Sequence, residues 1–351
     1  MEGAGVLGQG EYRYRPLPGW GQLPDRWDLV EVVGVAVDAE DRVYVFNRGA
    51  HPVVVFDADG HFLRSWGEGK FVRPHGVTVS PDGTLYCVDD LDHTVRQFTP
   101  EGDLLRVLGT SGRCCDTGVR DRDFRTILRS GPPFNQPTNL AIAPNGDLYV
   151  TDGYGNARVH RFAPDGCLRH SWGGPGRAPG QFNLPHGIAV GPDGTVYVAD
   201  RENSRVQRFD PEGAFLSEWT DVARPCQVAV DAHGNLLVAE LGFHIGLWPG
   251  MPEPDASPVT CAEGGPVTCA EGGGGGGRMS AFDPQGRLLS RWGGGQNPAA
   301  PSDFLAPHDV CVDSTGALYV GEVIQAAARA PGGIPHGAHP LQKFVPAAVG
   351  S

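Results

Sequence analysis

Short apolar runs that alternate with small or polar residues, each closed by a glycine or proline turn, recur along the whole chain. Within residues 185–219 four such runs follow one another: His186 to Val190, Thr195 to Asp200, Arg205 to Phe209 and Ala214 to Trp219. Pro192-Asp193-Gly194 and Pro211-Glu212-Gly213 punctuate them. Period-two patterning bounded by Gly and Pro predicts strands, and no stretch of helical period is comparably strong. The opening of this unit, Pro185-His186-Gly187-Ile188-Ala189-Val190, recurs as Pro74-His75-Gly76-Val77-Thr78-Val79 and as Pro307-His308-Asp309-Val310-Cys311-Val312. Three more copies keep the frame without the histidine: Gly34-Val35-Ala36-Val37, Pro137-Thr138-Asn139-Leu140 and Pro225-Cys226-Gln227-Val228. Four antiparallel strands in about 40 residues make one propeller blade. Six copies therefore predict an all-β chain, a six-bladed β-propeller of four-stranded antiparallel blades.

The predicted propeller spans residues 31–346 and counts as one domain, because a closed repeat array overrides the usual length prior. Blades 1 to 4 are read at 32–66, 74–109, 137–172 and 185–219, blade 5 from 225 to 292, and blade 6 from 307. Residues 1–30 read as irregular; they, or Leu341 to Val345, would supply the strand that closes the ring. Insertions interrupt the repeats at 110–135, 242–277 and 325–340. The middle one carries an identical tandem pair, 258–265 and 266–273, and ends in six glycines, Gly272 to Gly277. That composition cannot bury a core and is expected to be mobile.

Charge and cysteine usage narrow the partners. The net charge is −13 with no basic run, which removes the electrostatic case for nucleic acid or an anionic membrane. No run of 18 apolar residues exists to span a bilayer. The first residues lack a basic region followed by an apolar core, and the eight cysteines are scattered without CxxC spacing. A cytoplasmic monomer with free thiols is the expectation.

The repeat also fixes angles. The opening residues of the six blades, Val33, His75, Thr138, His186, Cys226 and His308, ring one end of the central channel, and every second one is histidine. Alternate blades of six lie about 120° apart, so three imidazoles converge on the axis. Three neutral histidines with an open fourth position is the pattern of catalytic zinc. The same face receives the loops between second and third strands, hence Arg48, Tyr154, Arg201 and Glu202, and also the three insertions. An arginine and a tyrosine beside a metal suit an anionic substrate: the first binds carboxylate, the second acts as base. Asp309, whose counterparts are Gly76 and Gly187, has three readings: orienting an imidazole, holding a hard cation such as calcium with backbone carbonyls, or capping a strand end.

These blades resemble NHL repeats. Within that group, residues 30–345 resemble the peptidyl-α-hydroxyglycine α-amidating lyases. The motifs that carry the resemblance are Phe46-Asn47-Arg48-Gly49, Pro74-His75-Gly76, Asp152-Gly153-Tyr154, Pro185-His186, Ala199-Asp200-Arg201-Glu202-Asn203 and Pro307-His308-Asp309. The resemblance implies a zinc on His75, His186 and His308, catalytic roles for Arg48 and Tyr154, and a structural calcium on the Asp309 carboxylate with the carbonyls of Val35 and Val77. The implied reaction, peptide amidation, cleaves a C-terminal α-hydroxyglycine into a peptide amide and glyoxylate. Two departures stand out. Gly155 replaces the disulfide cysteine that follows the tyrosine in animal enzymes, and a second such cysteine is replaced near Arg208. These 351 residues also hold no copper monooxygenase domain, which widens the expected substrate to other N-acyl or N-carbamoyl α-hydroxy acids, with a small molecule or peptide C-terminus as the partner. Two alternatives stand beside the lyase: a non-catalytic NHL propeller that binds a peptide or protein, and a gluconolactonase-like hydrolase. The second is weaker, because that chemistry rests on carboxylate-bound calcium and this ring has histidines.

Overall fold

The structure, a computed structural model, describes residues 5–242, 276–295, 297, 300–301, 303–327 and 338–347. Residues 243–275 and 328–337, which hold most of the second and third predicted insertions, lie outside the described residues. Six antiparallel sheets follow one another as blades. Blade 1 comprises Val32–Val37, Val43–Asn47, Val53–Phe56 and Phe62–Trp66, and blades 2 to 5 repeat that order from Pro74, Pro137, Pro185 and Pro225. The predicted boundaries hold to within a residue or two.

Blade 6 differs from the rest. Its strands Pro307–Val312, Leu318–Glu322 and Leu341–Pro346 are joined by Tyr12–Pro16 and then Leu7–Gln9, making five. Part of the N-terminal segment read as irregular is thus two strands. Tyr12, Tyr14 and Pro16 alternate inward and pair along Leu341–Pro346, Tyr14 opposite Pro346 and Pro16 opposite Phe344. The Tyr12 hydroxyl then donates to Asp231 of blade 5 at 2.5 Å, which ties the closing strand to its neighbour.

Two devices link blade to blade. Trp66, Trp172 and Trp219 end the outer strands of blades 1, 3 and 4 and are buried. Each packs on a turn glycine of the next blade, Gly102, Gly213 and Gly286, where an added Cβ would fall within 2.6 Å of the indole and φ is near +90°. Only glycine fits such a place. The second device caps the linker entering each of blades 2 to 6. Asp89, Asp152, Asp200, Glu240 and Glu322, at the ends of second strands, accept the backbone N–H groups of Arg73, Asn135, Asn183, Ala223 and Ala306 respectively. Those linkers run directly into the residues that open the blades. The first strand then skips register just past its start, between Pro74 and Val77, Pro185 and Ile188, and Pro307 and Asp309. A bulge re-aims a side chain, and here it carries the histidines. Among the described residues no helix is long and apolar enough to cross a membrane.

Candidate metal centre

The three histidines meet. The rings of His75, His186 and His308 lie 4.7 to 4.9 Å apart, centroid to centroid, and all three side chains are buried. One ligand atom from each falls within 4.8 Å of the others. The non-histidine members of the ring have a role that sequence reading missed. His75 Nδ1 lies 2.6 Å from the carbonyl of Thr138, His186 Nδ1 2.8 Å from that of Cys226, and His308 Nδ1 2.9 Å from that of Val33. A carbonyl only accepts, so each Nδ1 carries the proton and each Nε2 presents a lone pair. Burial pushes all three imidazoles well below their usual pKa, helped by their neighbours and by the arginines above. They are neutral.

Tyr154 completes the ring. Its hydroxyl lies 3.1 Å from Nε2 of both His75 and His186. One hydroxyl proton satisfies one lone pair, and three converge here, so the surplus suits a bound cation. Zinc, which takes imidazole nitrogen readily, fits the residues present. The tyrosine itself is wedged between Arg73, with its guanidinium carbon 5.8 Å from the ring centroid, and Arg201 at 5.5 Å. Arg201 Nη1 lies 3.4 Å from the hydroxyl. Burial raises the phenol's pKa, while Arg201, Arg73 and Arg48 oppose that rise.

A cationic rim surrounds this centre. Arg48 donates to Glu31 at 2.8 Å and to the Pro74 carbonyl at 3.0 Å. Arg73 pairs with Asp90 at 2.6 Å. Arg201 and Arg224 share Glu202, at 2.8 and 2.9 Å. Glu31, Asp90 and Glu202 thus hold four guanidiniums around this centre, a rim that suits an anionic substrate group. Arg48, Arg201 and Glu202 stand on the face assigned to them. Arg73, Arg224, Glu31 and Asp90 were not anticipated. Arg73 and Arg224 each precede the proline that opens a blade, a position from which the repeat could have placed them on this face.

Asp309 lies deeper in the channel. Its carboxylate accepts the N–H of Val35 at 3.0 Å and of Val310 at 2.9 Å. Gly34 sits against both this carboxylate and Val77, where a Cβ would come 2.9 Å from the valine. Burial pushes the Asp309 carboxyl up to about 7, against hydrogen bonds from Gln227, Val35 and Val310. A buried carboxylate held only by neutral donors is one a cation would stabilise, so the residues accommodate a calcium on this carboxylate. The contact seen with Val35 is through its N–H.

The insertion at 110–135 packs on this same centre. Phe124 and Ile127 join Leu184 in a small apolar cluster around Tyr154. Thr117 donates to the Gly155 carbonyl at 2.5 Å, and Asn135 lies where a side chain on Gly155 would be.

A family model described as NHL repeat matches residues 134–162 and 182–209, blades 3 and 4. The chain carries NHL repeats. This NHL propeller is similar to NHL repeat-containing protein 3 of Homo sapiens, 29% identical over 249 residues, 66% of this chain and 67% of that protein. It is also similar to peptidyl-alpha-hydroxyglycine alpha-amidating lyase 1 of Drosophila melanogaster, 34% identical over 207 residues, 53% of this chain and 36% of that one. The match thus spans about a third of the lyase and about two thirds of the human protein. Among solved structures, a gluconolactonase from Xanthomonas campestris superposes with a TM-score of 0.58, covering 99% of this chain and 98% of that one at 15% identity. That likeness is one of fold.

Proposed function

We propose that the chain is a metal-dependent carbon–nitrogen lyase acting on a carbinolamide, with a C-terminal α-hydroxyglycine as substrate and zinc on His75, His186 and His308. The observation that carries this reading is the buried ring of three Nε2 lone pairs with the Tyr154 hydroxyl between two of them. Similarity to amidating lyase 1 supports it. A zinc at this ring would supply Lewis acidity toward the substrate hydroxyl. The chain's own residues do the rest. Arg48, fixed by Glu31, binds the substrate carboxylate and turns the carbinol toward the ring. Tyr154, in its ionised form, accepts the hydroxyl proton, and the arginines around it offset part of the rise that burial imposes on its pKa. As the oxygen's electrons form the aldehyde of glyoxylate, the C–N bond breaks and its pair goes to nitrogen, which takes the proton back as the primary amide. Burial around the ring excludes bulk water. Asp309 with calcium is assigned a structural role beneath this site.

Metal content of the wild type and of His186→Ala, together with glyoxylate release from α-hydroxyglycyl peptides, tests the proposal. About one zinc per chain, lost with turnover in the variant, supports it. Undiminished turnover in metal-free protein would overturn it. A binding propeller without catalysis is the second reading; NHL repeat-containing protein 3, whose name states a repeat and no reaction, is similar over 66% of this chain. It expects no stoichiometric metal and peptide binding insensitive to chelator.

A further inference from the structure

A cavity of about 240 Å³ opens between blades 3 and 4, beside the metal ring. Its walls are Phe124 and Ile127 of the insertion, with Phe182 and Leu184 of the linker between those blades. Three of these four, Phe124, Ile127 and Leu184, are also the residues that pack on Tyr154. Arg125 and Arg177 also line it. Arg125 is paired with Asp123 at 2.6 Å, whereas Arg177 makes no ion pair among the described residues.

We propose that this cavity is a subsite for the side chain of the residue preceding the α-hydroxyglycine, and that it selects an aromatic or large aliphatic group there. The proposal rests on the lyase reading above. Position argues for it. Arg48 stands at the top of blade 1, so the boundary of blades 3 and 4 lies about 150° around a six-fold axis from it. A substrate held at Arg48 by its carboxylate and at the axis by its hydroxyl sends its N-acyl part to the far side, where the cavity is. Size argues for one side chain: a cavity of about 150 Å³ suffices for benzene, and whole-ligand pockets begin at about 300 Å³. Chemistry excludes the alternative of a basic side chain. Arg177, which makes no ion pair among the described residues, repels it, and the lining offers an ammonium no carboxylate.

The test compares kcat/KM for acetyl-phenylalanyl-, acetyl-alanyl- and acetyl-lysyl-α-hydroxyglycine on zinc-loaded protein. The expected order is Phe, then Ala, then Lys, with Phe favoured over Ala about tenfold or more, as filling an apolar pocket allows. Ile127→Trp, which fills the cavity, should bring the Phe-to-Ala ratio near unity. Ile127→Ala, which enlarges it, should shift preference from a phenylalanyl to a tryptophanyl compound. Equal rates for all three compounds, or ratios that neither variant moves, would overturn the subsite. If no compound is turned over, the lyase reading fails by itself, and calorimetry with unreactive acetyl-Phe-Gly and acetyl-Ala-Gly decides the cavity. Tighter binding of the Phe peptide, lost in Ile127→Trp with the melting temperature held, sustains the subsite; equal binding removes it.

Discussion

His186 donates its Nδ1 proton over 2.8 Å to the carbonyl of Cys226, the residue that opens the following blade. His75 and Thr138 repeat the arrangement, as do His308 and Val33. Each imidazole is therefore aimed by the backbone of a blade that contributes no histidine to the ring. The ring is preorganised before any ion arrives, and the orienting groups cannot be removed by changing a side chain.

A cation that binds only the folded ring stabilises the fold by mass action, by about 2.7 kcal/mol at one hundred times its dissociation constant. Thermal melts with chelator and with added zinc should differ in the wild type, the zinc form melting higher. His186→Ala should show no zinc-dependent difference. Equal melts in the wild type would remove the metal from the ring.

Tyr154→Phe leaves the imidazoles and their carbonyl partners in place and removes only the hydroxyl. Zinc content should stay near that of the wild type while kcat falls about 10²- to 10⁴-fold, the usual worth of a positioned proton acceptor. Loss of metal together with activity would instead make the hydroxyl part of the binding set.

Glu322 gives a signed pH dependence. Burial pushes its carboxyl up to about 7, against hydrogen bonds from Gln342, Ala306 and Leu305. The native state therefore keeps a proton that the unfolded chain releases near 4.5, so stability falls as pH rises from about 4.5 to 7, by on the order of 3 kcal/mol. Glu322→Gln should flatten that part of the stability profile, measured by denaturant unfolding at a series of pH values. Glu202 acts oppositely. Although burial raises its carboxyl, Arg224 and Arg201 bring it down to about 2, so its contribution is present above about 4.5 and fades as pH falls toward 2.

Gly155 packs tightly on Asn135, and its N–H donates to the Asn135 carbonyl at 3.0 Å. A Cβ on Gly155 would fall 2.5 Å from the Asn135 side-chain Cγ, so side chains placed at the two positions would meet. Asn135→Cys with Gly155→Cys should oxidise to a disulfide, closing a loop of about 20 residues for roughly 3 kcal/mol. Thiol titration and melts with and without reductant would show it. Gly155→Ala alone should destabilise by about 1 to 3 kcal/mol through crowding.

The propeller was legible because its information is local. Glycine-closed turns and period-two strands recur in all six repeats, and the repeat converts sequence position into angle, which is how His75, His186 and His308 could be brought together on paper. Tyr12 and Tyr14 show the limit. Their alternation is a strand signal, but their partner at Leu341–Pro346 lies more than 300 residues away and leaves no trace nearby. Arg73 and Arg224 were missed for another reason: neither belongs to a motif, and only the fold turns the residue before a blade's first proline toward the axis. Phe124 and Ile127, two apolar residues in a polar insertion, carry no period, so their packing on Tyr154 could not be inferred.

Blade 6 is built from both ends of the described chain, with Tyr12–Pro16 beside Leu341–Pro346, and it carries the last of the three histidines. Synthesis delivers a chain from its amino end. Tyr12 and Tyr14 are thus made more than 300 residues before the strand they pair with, and must wait for it before finding their place. Until then the wheel stays open and His308 has no assembled sheet to hold it. An ion on the ring would act as a seal: its capture would report that blade 6 has been made and that Tyr12–Pro16 has met it.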